Sequence, residues 1–211
     1  MDSINMPAIK SATQKRSREK RDLLLAAGER SFATVGYEKT RIADLASEVG
    51  ISVGVFYQRF GNKRQFFDAL AEDMLLRGDK LWADFFENAS GYSNAEDFFQ
   101  RLIYLLAKQI NNNIGFLRAM ISLGQQDKEV PARMAKLDHL LAKLLEDYLT
   151  DRGWITATAL REHQMYFACS IVTKKLLVME FNQAGPTGVM DAKTHRELSQ
   201  MLIAYLGIVQ E

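Results

Sequence analysis

Gln58 and Arg59 stand side by side near the end of the segment Val53–Phe60, and both side chains can read the edge of a base. A glutamine carboxamide can bond adenine in a bidentate way, and an arginine that leans inward can reach guanine. Lys63 and Arg64 follow where a new helix is expected to begin. There the unpaired backbone N–H groups of a helix N-terminus and two cations would make a phosphate clamp. A second group of cations, Lys10, Lys15, Arg16, Arg18, Lys20 and Arg21, precedes the first apolar segment. Alone, such an arm reads as a solubilising, disordered tail. Beside a base-reading segment, phosphate contact with counterion release is the better reading.

Side chains of this kind select bases only when a short helix holds them at a fixed angle to the duplex, and Thr40–Phe60, TRIADLASEVGISVGVFYQRF, has the spacing for it. Ile42, Leu45, Ala46 and Val49 recur at i, i+3, i+4 and i+7, which gives one helix an apolar face and leaves Asp44, Ser47 and Glu48 in water. Thr40 is its expected N-cap. Gly50 falls where the chain must reverse, a position that favours left-handed backbone. Ser52 can cap the helix that follows. Phe56 and Phe60 give that second helix its inner face, so Gly54, Val55 and Gln58 point outward, with Val53, Tyr57 and Arg59 at the edges. The pattern predicts a helix-turn-helix.

The longer string TRIADLASEVGISVGVFYQRFGNKRQFF resembles the N-terminal signature of the TetR family of bacterial transcriptional repressors. It matches at Thr40, Leu45, Ala46, Gly50, Ile51, Ser52, Gly54, Phe56, Tyr57, Phe60, Lys63 and Phe66. In TetR-like proteins the positions matching Val53, Gly54, Tyr57 and Gln58 face the major groove. Those matching Thr40, Arg41, Val55, Arg59 and Lys63 lie near phosphates. Val53 and Val55 depart from the common pattern, in which Lys and Thr are frequent. Neither valine side chain can donate a hydrogen bond, but Val53 can pack on a thymine methyl, and Gly54 lets the backbone approach the groove wall.

Residues 1–64 carry 12 Lys/Arg against 7 Asp/Glu, a net of +5, and residues 65–211 carry 15 against 19, a net of −4. The near-neutral total thus conceals a basic N-terminal part and an acidic remainder. At 211 residues and 47% hydrophobic the chain can bury a substantial core. Three prolines and few alternating β-branched runs predict an all-α fold of about nine helices. The expected organisation is a basic arm and helix-turn-helix over 1–62, then a larger helical domain over 63–211. No apolar run reaches membrane-spanning length and the N-terminus lacks the apolar core of a signal peptide, so the cytoplasm is the expected compartment.

Helices are expected at about Gln14–Thr34, with Leu23, Leu24, Ala27, Phe32 and Ala33 inward and Gly36 ending it, and at Lys63–Asn88, with Asn62 as cap. Five more follow at Asn94–Asn111, Gly115–Gln125, Val130–Arg152, Thr156–Asn182 and Ala192–Val209. Breaks are expected at Tyr92, Asn111–Asn113, the QQDKEVP segment, Gly153 and the turn around Pro186. The last helix carries Leu198, Met201, Leu202, Tyr205, Ile208 and Val209 on one stripe, and the helix before it is apolar over a wide arc. Two such helices fit an intrachain core or pairing with a second copy equally well. The resemblance implies the homodimer, whose two recognition helices, about 34–36 Å apart, would read a palindromic operator in double-stranded DNA.

The resemblance also implies a small-molecule pocket in the second domain. Trp82, Phe85, Phe86, Phe116, Met120, Tyr148, Tyr166 and Phe167 are its candidate lining, suited to an apolar or aromatic effector, although aromatic and Met residues at this spacing are equally ordinary core. Lys174 and Lys175 interrupt an apolar run; one of them turned inward would pair with a carboxylate or an anionic ligand, and the plainer reading is that they snorkel to solvent or pair with Glu180 or another acid. His139, His163 and His195 have no metal-ligand spacing, and Cys169, the lone cysteine, excludes an intramolecular disulfide. No nucleophile elbow, phosphate loop or dinucleotide fingerprint occurs, so neither catalysis nor a cofactor is expected. The expected function is a ligand-responsive, DNA-binding transcriptional regulator, a repressor released by its effector. The alternative is a small-molecule sequestering protein without specific DNA recognition.

Overall fold

The computed structural model describes residues 6–124, 129–155, 161–182 and 190–208. Among these residues every regular element is helical: α1 (Met6–Lys39), α2 (Ile42–Val49), α3 (Val53–Phe60), α4 (Lys63–Glu87), α5 (Ala95–Gly124), α6 (Glu129–Asp151), α7 (Arg161–Asn182) and α8 (Ala192–Leu206), with a 3-10 turn at Ala89–Gly91. The chain forms two compact units, Met1–Met74 and Leu75–Glu211.

In the first unit α1 starts at Met6, ahead of the expected start at Gln14. Ala, Lys, Arg and Glu dominate its early turns and are good helix formers, and Pro7 lies in the first turn, where a missing N–H costs little. Gly36 breaks the helix with φ 81° and ψ 173°. Leu24, Leu25, Ala27 and Phe32 are buried, but Leu23 and Ala33 are exposed, contrary to expectation. Phe32 meets Phe67 edge-on at 5.2 Å, and Phe66 lies 5.0 Å from Phe56 and 4.7 Å from Phe60. A Cβ at Gly28 would stand 2.5 Å from the Phe66 ring, so only glycine allows this approach. Phe66, Phe67, Leu70 and Ala71 are buried in this core, which explains why the unit runs past the Gly61-Asn62 turn to Met74.

In the second unit α5 packs on α6, α7 and α8, and α7 packs on α6 and α8. The break expected at Asn111–Asn113 does not occur. Each asparagine costs at most roughly 0.7 kcal/mol of helix propensity, whereas burying a side chain such as Phe116 or Leu117 contributes about 1.5–3 kcal/mol. Asn113 Nδ2 also donates to the Gln109 carbonyl at 2.7 Å. One helix therefore replaces the expected two. α8 stops at Leu206, short of the expected Val209, because Gly207 is left-handed (φ 62°). The expected start of α7 at Thr156, residues 125–128 of the QQDKEVP segment, the turn around Pro186 and Val209 lie outside the described residues. No helix among the described residues is long and apolar enough to cross a membrane.

Candidate nucleic-acid interface

The α2–α3 corner is built by caps. Gly50 is left-handed (φ 67°), and the Ile51 N–H bonds the Ala46 carbonyl at 2.9 Å. Lys20 Nζ, from α1, donates to the Val49 carbonyl at 2.5 Å, which places a cation at the negative end of α2. Ser52 Oγ accepts the Val55 N–H at 3.2 Å, as its capping role requires. Arg41, not Thr40, holds the N-cap position of α2, and its side chain makes no cap hydrogen bond. Thr40 is instead 3% exposed, and its hydroxyl donates to the Gly36 carbonyl at 2.8 Å, tying the end of α1 to the start of α2.

This corner fixes the outer face of α3. Phe56 and Phe60 are buried, whereas Val53, Val55 and Tyr57 are 39%, 41% and 46% exposed. Gly54 and Gln58 are exposed between them, and Arg41 is exposed beside α2. Arg59 does not lean toward this face. Its Nη1 donates to the Ser17 carbonyl at 2.5 Å and its Nη2 to Ser17 Oγ at 2.9 Å, so it turns toward α1. Nothing in the spacing around Ser17 announces this contact.

At the start of α4, Asn62 Oδ1 accepts the Gln65 N–H at 2.8 Å, the cap expected there. Lys63 Nζ donates to the Glu38 carbonyl at 3.0 Å and lies 4.6 Å from the centroid of the Tyr37 ring. Partial burial lowers its ammonium pKa, and the Glu38 charge opposes that shift. Arg64 Nε is paired with Asp68 at 3.1 Å, which partly cancels its charge. Of the two cations expected to clamp phosphate, Lys63 is thus the less neutralised. Glu38 and Tyr37, which orient it, carry no motif signal.

In the second unit the predicted lining residues separate into distinct places. Phe85, Phe86 and Tyr148 come together with Tyr92, Phe98 and Trp154, which were not among the candidates. Phe98 stacks on Tyr148 at 4.4 Å, Phe85 lies 5.7 Å from Phe98, and Phe86 lies 5.7 Å from Tyr148. Trp82 meets Phe85 edge-on at 6.3 Å. The Tyr148 hydroxyl donates to the Ala89 carbonyl at 2.8 Å, and burial raises its phenol pKa against the pull of Arg152. Arg152 also donates to the Ser90 and Tyr92 carbonyls, which holds the 3-10 turn against this cluster.

Phe116 and Met120 are buried in α5, and Tyr166 stacks on His139 at 4.1 Å. Phe167 and Lys174 are exposed and do not line an interior. The Phe167 ring lies 5.8 Å from Tyr205 of α8, and Lys174, itself exposed, reaches with its Nζ to 3.5 Å from Oδ2 of the buried Asp138. A surface hollow of ≈ 520 Å³ is lined by Glu96, Gln200, Ile203, Ala204, Gly207 and Ile208, and one of ≈ 390 Å³ by His139, Leu140, Ala142, Lys143, Glu146 and Glu162. Neither is lined by the aromatic cluster. Burial pushes the Cys169 thiol up to about 12, so it stays a protonated, inert core group. Among the described residues no group of three or more His, Cys, Asp or Glu side chains could hold a metal ion.

Comparison with known proteins bears on both units. Residues 24–70 match the family model for bacterial regulatory proteins of the tetR family. The transposon Tn10 TetC protein of Escherichia coli is 23% identical over 147 residues, a match covering 69% of this chain and 68% of that protein. The HTH-type transcriptional regulator TtgR of Pseudomonas putida is 32% identical over 69 residues, 33% of each chain. A solved structure from Mesorhizobium loti, ascribed to the TetR-family transcriptional regulators, superposes with a TM-score of 0.73 over 90% of this chain and 97% of that one, at 18% identity. At that identity the likeness speaks for the fold alone.

Proposed function

This chain belongs to the TetR family of bacterial regulatory proteins, and from that premise we propose that it is a ligand-responsive repressor. In this reading a homodimer sits on a palindromic operator in double-stranded DNA and is released by a small apolar or aromatic effector. The observation that carries the reading is α3: Val53, Gly54, Tyr57 and Gln58 are exposed on a helix whose Phe56 and Phe60 are buried. Gln58 is the base reader, Val53 packs on a thymine methyl, and Tyr57 lies at the groove edge. Arg41, Val55, Arg59 and Lys63 lie toward the backbone, and Thr40 holds the corner that presents them.

Dimerisation rests on α7 and α8, where Phe167, Ile171, Val178, Met201 and Tyr205 are exposed apolar residues on helices long enough to pair as a four-helix bundle. The half-buried rings Phe85, Phe86 and Tyr148 are the effector contacts we favour, with Trp82, Phe116, Met120 and Tyr166 as supporting core. An effector releases DNA only by differing in affinity between the states that do and do not bind it, so effector and operator must weaken each other's binding equally.

Selection of bound sequences from a random duplex library at physiological salt tests the function. The expected result is a palindromic consensus. No enrichment, with only weak salt-sensitive binding left, would overturn it in favour of a sequestering protein, the reading that the apolar Val53 and Val55 support.

A further inference from the structure

Arg59 is the last cation of α3, and both of its terminal nitrogens are held by one residue of α1: the Ser17 carbonyl at 2.5 Å and the Ser17 hydroxyl at 2.9 Å. A guanidinium has five N–H donors in a rigid fork, so two directed to Ser17 leave three for another acceptor. Swinging Arg59 into the groove would break both bonds. The Ser17 hydroxyl acts here as acceptor, so it orients the guanidinium and leaves its remaining donors for the ligand. The partners of Arg59 are also neutral. By contrast, Arg30 is held by Glu48 at 2.5 Å and Arg64 by Asp68 at 3.1 Å, each a carboxylate that cancels charge. Arg16 and Arg18, exposed on either side of Ser17, add positive potential.

We infer that Ser17 is a positioning residue for Arg59, and that the pair forms a site for one backbone phosphate of duplex DNA, bridging α1 and the recognition helix. The inference rests on the DNA-binding reading above and deepens it. Arg59 does not read guanine. It anchors the register of α3 on the backbone, and Ser17 ties the basic start of α1 to the same phosphate.

The test uses the full-length protein with two probes, the consensus duplex from the library selection and a random-sequence duplex of equal length, titrated over a range of salt. Ser17→Ala is expected to weaken both duplexes alike by about tenfold, the weight of one charge-assisted hydrogen bond, without changing base preference. It leaves the charge in place, so the salt slope stays. Arg59→Ala weakens both and lowers the slope by about one per protomer. Ser17→Thr, which keeps a hydroxyl, restores binding. The double variant Ser17→Ala/Arg59→Ala binds no worse than Arg59→Ala alone.

Additive losses in the double variant, or a change of base preference in Arg59→Ala, would overturn the site while leaving the DNA-binding reading intact. Unaltered protein that binds neither duplex, even at low salt, would overturn that reading and the site with it. Ser17 is exposed, so unchanged melting curves for its variants confirm that the readout is binding rather than folding.

Discussion

The two units expose apolar side chains in opposite chemical settings. On α3, Val53, Val55 and Tyr57 stand on a helix of 8 residues, beside Gln58, Arg59 and Lys63 and within residues 1–64, which carry a net +5. On α7 and α8, Phe167, Ile171, Val178, Met201 and Tyr205 stand on helices of 22 and 15 residues, within residues 65–211, which carry a net −4. A short apolar strip among cations suits a groove lined by phosphates. Long apolar strips that run over two helices suit another protein surface. Exposure alone says little about a partner, whereas exposure read with local charge and helix length separates the two tasks.

The aromatic interiors differ in the same sense. Phe32, Phe56, Phe66 and Phe67 are buried to 1% exposure or less, a closed core that fixes the angle of α3. Phe85, Phe86, Tyr92, Tyr148 and Trp154 are only half-buried, and backbone carbonyls hold the polar ends around them. The first core is built for rigidity. The second leaves ring surface that a small molecule could cover.

The sharpest way to break this contrast is Phe66→Ala. It should cost about 3–5 kcal/mol, because a fully buried ring is lost from the closed core, and should abolish duplex binding. Denaturant melts followed with a mobility shift check both. Phe86→Ala, in the half-open cluster, should cost clearly less, and equal costs would erase the distinction between the cores.

Phe167→Glu is next in size. A carboxylate placed on the proposed pairing face should weaken self-association by about 2 kcal/mol or more, as for a central interface residue, and sedimentation should then show monomers with unchanged helicity. An unaltered dimer would move the interface elsewhere.

Gln58→Ala should relax base preference at one operator position at a cost of about 1–3 kcal/mol, while Lys63→Ala weakens all sequences alike and lowers the salt slope. Competition binding with single-base operator variants separates the two, and uniform losses in both would dissolve the division between groove and backbone contacts.

The smallest effect concerns Asp138. Burial raises its carboxyl above the ordinary value and Lys174 pulls it back. A raised carboxyl contributes stability that is full below the unfolded pKa and lost as pH rises through the folded one. Against Asp138→Asn, the unaltered protein should therefore lose stability as pH rises from the ordinary carboxylate range through that raised value. Because the ion pair with Lys174 is largely exposed on the lysine side, the difference should stay below about 1 kcal/mol. Melting temperatures across that range check it, and parallel curves would show that Asp138 titrates normally.

Much of the first unit was legible along the chain because its signals are local. Apolar spacing in α2, the left-handed turn at Gly50 and the caps at Ser52 and Asn62 each depend on residues within one or two turns of one another. The outward residues Gly54, Val55 and Gln58, with Val53 and Tyr57 at the edges, follow from 3.6-residue periodicity once Phe56 and Phe60 face inward. The all-helical class and the breaks at Gly36 and Gly153 were readable on the same grounds.

What escaped the sequence is what depends on distant partners. Asn111–Asn113 read as a break, yet apolar side chains on both sides hold α5 continuous. Thr40 looked like a cap and is a buried tie to Gly36, and Phe167 looked inward and faces out. Arg59 could have served the groove or the backbone until Ser17, far away in the chain, held its guanidinium. Periodicity tells which side of a helix is apolar. Only packing decides which apolar side chains find a neighbour and which cation is already held, because burial and hydrogen-bond geometry depend on every helix around the site.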